Sequence, residues 1–129
     1  MRISTPLVGL ITLCFAAGPV SASRAAADDA DTCATAVGDD AIAACTRAIS
    51  SGRLHDHGLA AEYYNRGITY GTKRDYDHAI ADYTEAIRLD PNFARAYYNR
   101  GFAKRAKGDS ANASADIAKA MLLNPGVGK

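Results

Sequence analysis

Residues Tyr63-Tyr64-Asn65-Arg66-Gly67 recur unchanged as Tyr97-Tyr98-Asn99-Arg100-Gly101, 34 positions further along the chain. The same spacing also relates pairs of residues beyond the pentapeptide: Asp75 and Asp109, Ala86 and Ala120, and Pro91 and Pro125. A fixed period of this length indicates stacked copies of one supersecondary unit. The chain is therefore predicted to form a repeat structure, which favours binding over enzymatic chemistry.

Each copy of the repeat is predicted to contain two antiparallel helices. Apolar or small residues recur at helical spacing from Ala60 to Gly71, and charged residues 73–75 then interrupt the pattern. A second helix is predicted over residues 76–89, and it ends at Asp90 because the following proline disfavours helical geometry there. Small residues such as Gly67 are expected where the two helices cross most closely.

A degenerate unit precedes the two clear copies. Residues 39–49 parallel residues 77–87, and a short first helix is predicted upstream, from Ala30 to Val37. In a hairpin that turns near residues 38–39, Cys33 and Cys45 lie at similar distances from the bend and can face each other. A disulfide there would contribute roughly 3 kcal/mol, although two reduced buried cysteines remain an open alternative. Residues 50–59 break the period and are predicted to form a loop.

Residues 1–27 have the layout of a secretory signal peptide, with a basic start, an apolar stretch and small residues at its end. Cleavage is expected after Ala22 or Ala27, and an uncleaved membrane anchor is the alternative. The expected location is outside the cytoplasm, in a bacterial periplasm or secreted. An even number of cysteines after cleavage fits the disulfide, because oxidising compartments preserve such bonds.

Charge and motif content exclude several classes of function. The net charge is +1, from 15 basic and 14 acidic side chains, and no basic stripe indicates a nucleic-acid partner. The sequence shows no nucleophile–base constellation and no glycine-rich phosphate loop, so neither enzymatic activity nor a cofactor is predicted. No metal site is predicted either, because the histidines of the stretch His55-Asp56-His57 lack an evident third ligand.

The repeated residues resemble the tetratricopeptide repeat, in particular its bacterial exported members. The positions that fit the family pattern in the first full unit are Tyr63, Gly67, Tyr70, Ala79, Tyr83, Ala86 and Pro91. The resemblance implies an all-α fold, a short α-solenoid of antiparallel helix pairs. It would contain two full repeats, at 60–93 and 94–127, and one degenerate N-terminal repeat within 28–59. Arg66 and Arg100 depart from the family, which usually has leucine there.

The resemblance also implies a partner-binding groove lined by the first helices of the repeats. The family's groove positions fall on Tyr64, Asn65, Ile68, Thr72, Arg95, Tyr98, Asn99, Phe102 and Arg105. Asn65 and Asn99 would form a two-rung ladder to a peptide backbone, or would instead cap or bridge neighbouring helices. Ile68 and Phe102 stand where a carboxylate-clamp subclass has a further asparagine, which favours a more apolar ligand.

These inferences predict a non-enzymatic protein–protein interaction module that binds a peptide or protein segment in the groove. The partner's identity does not follow from the sequence. The alternative function is a structural or assembly element whose repeats self-associate. It is suggested by the apolar residues 121–123 near the C-terminus, for which no further helix is predicted to provide cover.

Overall fold

A computed structural model describes residues 20–129 of the chain, which fold into six α-helices. The helices are α1 (Val20–Thr35), α2 (Gly38–Ser50), α3 (Asp56–Thr72), α4 (Tyr76–Leu89), α5 (Ala94–Ala106) and α6 (Ser110–Leu123). Each odd-numbered helix packs against the even-numbered helix that follows it, and the three resulting hairpins stack in chain order. The predicted fold class, a short all-α solenoid of helix pairs, is confirmed.

Two helix bounds near the N-terminus differ from the sequence prediction. Helix α1 begins at Val20, ten residues before the predicted Ala30, and so runs through both predicted cleavage sites. Helix α3 begins at Asp56, within the stretch that was predicted to be a loop. Alanine-rich sequence favours helix even without an amphipathic pattern, and this explains the early start of α1. The rest of the predicted signal peptide, residues 1–19, lies outside the described residues.

The second helix of each full repeat begins with the same aspartate cap. The Asp75 side chain accepts a hydrogen bond from the His78 backbone N–H, and Asp109 accepts one from that of Asn112, each at 3.3 Å. Such caps satisfy a backbone donor that has no partner within the helix. Just before these caps, the chain takes a positive φ at Arg74 (62°) and at Gly108 (92°). The two full repeats therefore share the conformation of the turn as well as that of the helices.

Glycines mark the closest approach of the two helices within each full repeat. A Cβ atom on Gly67 would lie 2.7 Å from Tyr83 Cε1, and one on Gly101 would lie 2.9 Å from the backbone oxygen of Ala113. Neither position can hold a larger side chain without a shift of its neighbours. The buried hydrophobic core consists largely of alanines, among them the fully buried Ala79 and Ala113.

Arg66 and Arg100 fasten each full repeat to the repeat before it. Arg66 donates from Nε and Nη2 to the two carboxylate oxygens of Asp82, at 2.8 Å each, and from Nη1 to Thr46 Oγ1 at 2.9 Å. Arg100 repeats the arrangement with Asp116 and Thr84. The bidentate ion pair joins the two helices of one hairpin, and the threonine lies on the preceding hairpin. The arginines thus replace the apolar contact of the usual leucine with an ionic clasp.

The carboxylate of Asp116 illustrates the electrostatics of this clasp. Its burial opposes ionisation, but hydrogen bonds from Arg100 and Lys104 outweigh that effect and hold the pKa of Asp116 below its ordinary value. Each arginine also lies over a tyrosine ring of its own helix, with 5.5 Å from the guanidinium carbon to the centroid of Tyr63 or Tyr97. The first residue of each repeated pentapeptide, Tyr63 or Tyr97, thus packs against the arginine of the clasp.

The N-terminal hairpin has two cysteines at its core. The sulfur atoms of Cys33 and Cys45 lie 2.00 Å apart, at bonding distance, and both residues are buried. Cys33 belongs to α1 and Cys45 to α2, so a bridge here joins the two helices of the hairpin. Among residues 20–129, no helix has the length and apolarity needed to span a membrane.

Candidate functional site

A groove lies between the first helices of the two full repeats. It encloses a cavity of about 390 Å³. Residues of α3, α4 and α5 line it: Ile68, Gly71, Thr72, Tyr76, Tyr83, Asn99, Phe102, Ala103 and Ala106. We call this surface the α3–α5 groove. Four of the predicted partner-binding residues, Ile68, Thr72, Asn99 and Phe102, meet there.

Two apolar side chains in the α3–α5 groove are open to solvent. Ile68 is 37% exposed and Phe102 is 46% exposed. The Arg105 guanidinium lies over the Phe102 ring at 5.4 Å from the centroid, and the Tyr98 ring packs against Phe102 at 4.8 Å between centroids. The groove therefore combines an aromatic side chain, packed against its neighbours, with a positive charge beside it, and aromatic residues and arginine are common in protein interfaces.

Tyrosines of the second helix, which were not among the predicted groove residues, form the floor of the groove. Tyr83 is buried, and its ring passes beside Gly67 to reach the cavity. Burial raises the pKa of the Tyr83 hydroxyl. Tyr76 begins α4 and lines the groove beside it. In the sequence, the absence of a side chain at Gly67 was the signal that could have indicated the passage of the Tyr83 ring to the groove.

The two predicted ladder asparagines have different surroundings. Asn99 donates from Nδ2 to the Tyr64 hydroxyl at 3.1 Å, which bridges the two repeats, and it also lines the α3–α5 groove. Asn65 lines neither this groove nor the second cavity described next. For Asn99, the geometry agrees with the bridging alternative, and a ligand that uses its amide N–H would compete with Tyr64.

A second cavity of about 250 Å³ lies at the other end of α5. It is lined by Tyr64, Arg95, Tyr98 and Asn99 together with the chain that follows α6: Asn124, Gly126, Val127, Gly128 and Lys129. Gly128 adopts a positive φ of 87°, and a Cβ atom there would lie 2.3 Å from the Tyr98 hydroxyl. The C-terminal segment thus covers Tyr98, a contact outside the repeat pattern.

Tyr64 is mainly a packing residue. Its ring lies 4.8 Å from that of Phe93 and 5.9 Å from that of Tyr83, between ring centroids. Burial raises the pKa of its hydroxyl, and the charge of Arg95 only partly opposes this. The predicted site residues therefore divide between the α3–α5 groove and the second cavity, with Arg105 beside Phe102 and Asn65 in neither.

Stacked helical hairpins with an open groove between their first helices define the chain as an α-solenoid of helix–turn–helix repeats. Two family models describe such repeats and match this sequence: tetratricopeptide repeat models over residues 60–93 and over residues 82–113. The chain contains tetratricopeptide repeats, which these two models match between residues 60 and 113.

Solved structures agree with this assignment. The second repeat domain of human RPAP3, solved by NMR in complex with the HSP70 peptide SGPTIEEVD, is 28% identical, with a TM-score of 0.68 over 84% of this chain and 88% of that one. The second repeat domain of Spaghetti (RPAP3), bound to the HSP90 peptide SRMEEVD, is 26% identical, with a TM-score of 0.70 over 82% of this chain and 95% of that one. No curated protein sequence matches the chain significantly.

Proposed function

We propose that the chain is a non-enzymatic interaction module that binds a peptide with apolar side chains in the α3–α5 groove. The main support is that Ile68 and Phe102 are partly exposed and line a cavity together with two tyrosine side chains. Burial of such aromatic and aliphatic anchors supplies most of the binding energy in protein interfaces. Both repeat domains described above are bound to peptides, which supports the same use of the fold here.

The ligand is expected to differ from the acidic peptides of those two domains. Ile68 and Phe102 make this groove apolar at the positions where a carboxylate clamp would have polar amides. Arg105, stacked on Phe102, adds one positive charge beside the apolar surface. An apolar segment with an acidic residue next to it fits this combination.

We also propose that the protein is exported and that its cysteines form a disulfide in the oxidising compartment that it reaches. The signal-like residues 1–27 support export, and the burial of Cys33 and Cys45 together between the two helices of one hairpin supports the bridge. Thiol counting on denatured protein isolated from that compartment tests this, and two free thiols per chain would reject it.

The peptide-binding proposal can be tested with peptides selected from a phage-displayed random library against the oxidised full chain. We expect the double variant Ile68→Ala/Phe102→Ala to bind a selected peptide at least about tenfold more weakly in calorimetry, because truncation removes the exposed anchors. Leu122→Ala is the matched control, since Leu122 is 82% exposed on α6, away from the groove, and should bind as the wild type does.

Two further measurements complete this test. Asn65→Ala/Asn99→Ala, compared with each single variant, shows whether the predicted ladder contributes to affinity. A synthetic peptide ending in Glu-Glu-Val-Asp should bind more weakly than the selected apolar peptides. Equal affinity of the Ile68→Ala/Phe102→Ala variant and the wild type would reject the α3–α5 groove as the binding surface.

Self-association is the second candidate function, favoured by the exposed apolar surface of α6. Met121 is 50% exposed there, and Leu122 is 82% exposed. If this surface mediates assembly, sedimentation should show oligomers that dissociate in Met121→Ser/Leu122→Ser and persist in Ile68→Ala. A wild-type chain that stays monomeric at high concentration would exclude this function.

A further inference from the structure

A buried carboxylate lies beside the two cysteines of the N-terminal hairpin. The ligating atoms of Cys33, Cys45 and Glu62 all lie within 4.8 Å of one another. Glu62 belongs to α3 and is only 7% exposed. Its Oε2 atom is fully enclosed and has no hydrogen-bond partner within residues 20–129. The cluster thus joins one residue from each of the first three helices.

An enclosed carboxylate oxygen without a partner is unfavourable, because the group loses its hydration and gains nothing in return. Burial raises the pKa of Glu62, and the negative charge of Asp31 adds to this effect. The bridged sulfur atoms cannot relieve the carboxyl, since a disulfide has no hydrogen to donate. This oxygen lacks a cation or a hydrogen-bond donor. The two sulfurs lie close enough to Glu62 to hold a cation together with it once the bridge is reduced.

We propose that reduction of the Cys33–Cys45 bridge creates a binding site for a zinc-like divalent cation, with the two cysteine sulfurs and a Glu62 oxygen as ligands. Thiolate and carboxylate are both established zinc ligands, and the fourth position of a tetrahedral ion would hold water. Zn–S bonds of about 2.3 Å place tetrahedral ligand atoms roughly 3.8 Å apart. Because Zn–O bonds are shorter, at about 2.0–2.2 Å, each sulfur–oxygen distance has to shorten by about 1.3 Å at most, while the two sulfurs move apart.

Reduction of the bridge and binding of the cation both involve proton transfer. A thiol or phosphine reductant supplies two electrons, and the S–S bond becomes two thiols that take up two protons. Binding of the cation then releases the thiol protons, and any proton on Glu62, to solvent. In the oxidised chain a covalent bond joins α1 to α2. In the reduced chain the ion would join α1, α2 and α3.

The test compares the full chain in two redox states with Zn²⁺ alone as the probe. After phosphine reduction under anaerobic conditions, competition with a chromophoric chelator should show one tightly bound zinc per chain. The oxidised chain should bind none at that affinity. It is a matched control because it retains every histidine, including His55, His57 and His78. Thiol counting on the same samples verifies the redox states.

Glu62→Gln separates a three-ligand site from a simple pair of thiols. The isosteric amide should weaken zinc binding in the reduced chain at least about tenfold, since even indirect supporting residues contribute this much. Glu85→Gln, which makes the same change at an exposed carboxylate of α4 outside the cluster, should leave the affinity unchanged. Cobalt substituted for zinc should show the absorption of a tetrahedral thiolate complex in the reduced wild type.

Two results would overturn the proposal. One is a reduced chain that binds no more zinc than the oxidised chain, a comparison that requires no variant. The other is Glu62→Gln binding zinc as tightly as the wild type, with circular dichroism showing that both are folded.

Discussion

Replacing Asp82 with alanine is expected to lower the free energy of unfolding by about 3 kcal/mol. Asp82 is buried and accepts two hydrogen bonds from Arg66, whose side chain is itself largely enclosed. Removal of one partner leaves the other charge uncompensated in a dry environment, which costs roughly 3–5 kcal/mol in buried pairs. We expect the lower end because Arg66 keeps its hydrogen bond to Thr46. Chemical denaturation measures the effect.

A double-mutant cycle separates this clasp from simple packing. Arg66→Leu restores the residue usual in the family but leaves Asp82 unpaired, so it should also destabilise the fold. Arg66→Leu/Asp82→Ala should be more stable than the sum of the single effects predicts, by at least about 1.5 kcal/mol. Glu85→Ala is the control: it removes an exposed ion pair with Arg88 and should cost less than about 0.5 kcal/mol. Additive single effects would contradict the clasp.

Gly101→Ala should destabilise the protein by about 2 kcal/mol, although alanine is the better helix former by roughly 1 kcal/mol. The new Cβ would lie 2.8 Å from Ile117 Cγ1 and 2.9 Å from the Ala113 backbone oxygen. A side chain can rotate away, but the backbone oxygen can move only if α5 and α6 separate. Thermal unfolding of the variant, with calorimetric enthalpy, gives the measurement.

Gly71→Ala provides the matched control for this prediction. Gly71 also lies within the first helix of a repeat, but the nearest atom to an added Cβ is the Tyr83 hydroxyl at 3.7 Å, an ordinary contact. This variant should be as stable as the wild type or slightly more stable. If Gly101→Ala and Gly71→Ala unfold at the same temperature, close helix approach does not explain the repeated glycine.

The 34-residue period was sufficient to predict the helix pairs, their order and the place of the glycine crossings. It succeeded because each of these features depends on contacts within one repeat or between neighbours. The early start of α1 at Val20 was missed, since that helix lies outside the period. Glu62 beside the cysteines was missed as well, because the aperiodic stretch 50–59 separates its helix from theirs.

The groove was predictable only in part. Ile68 and Phe102, which were predicted from their repeat positions, line the groove, and their part in binding stays a prediction. The role of Arg66 was not predicted, because its partner Asp82 is 16 residues away. Bridging was one alternative for Asn99, but its partner Tyr64, 35 residues away, was not identified. Sequence patterns alone do not reveal such pairs of polar side chains. The cover over Tyr98 comes from the segment after α6, where the repeat no longer constrains the chain.

The α3–α5 groove is proposed to bind a peptide. Amide chemical-shift mapping of the isotope-labelled oxidised chain, titrated with a library-selected peptide, tests it most directly. If the peptide binds in the groove, the largest shifts should cluster at Ile68, Thr72, Asn99 and Phe102, with α1 and the exposed face of α6 unchanged. Shifts concentrated at Met121 and Leu122, with the groove unperturbed, would contradict it.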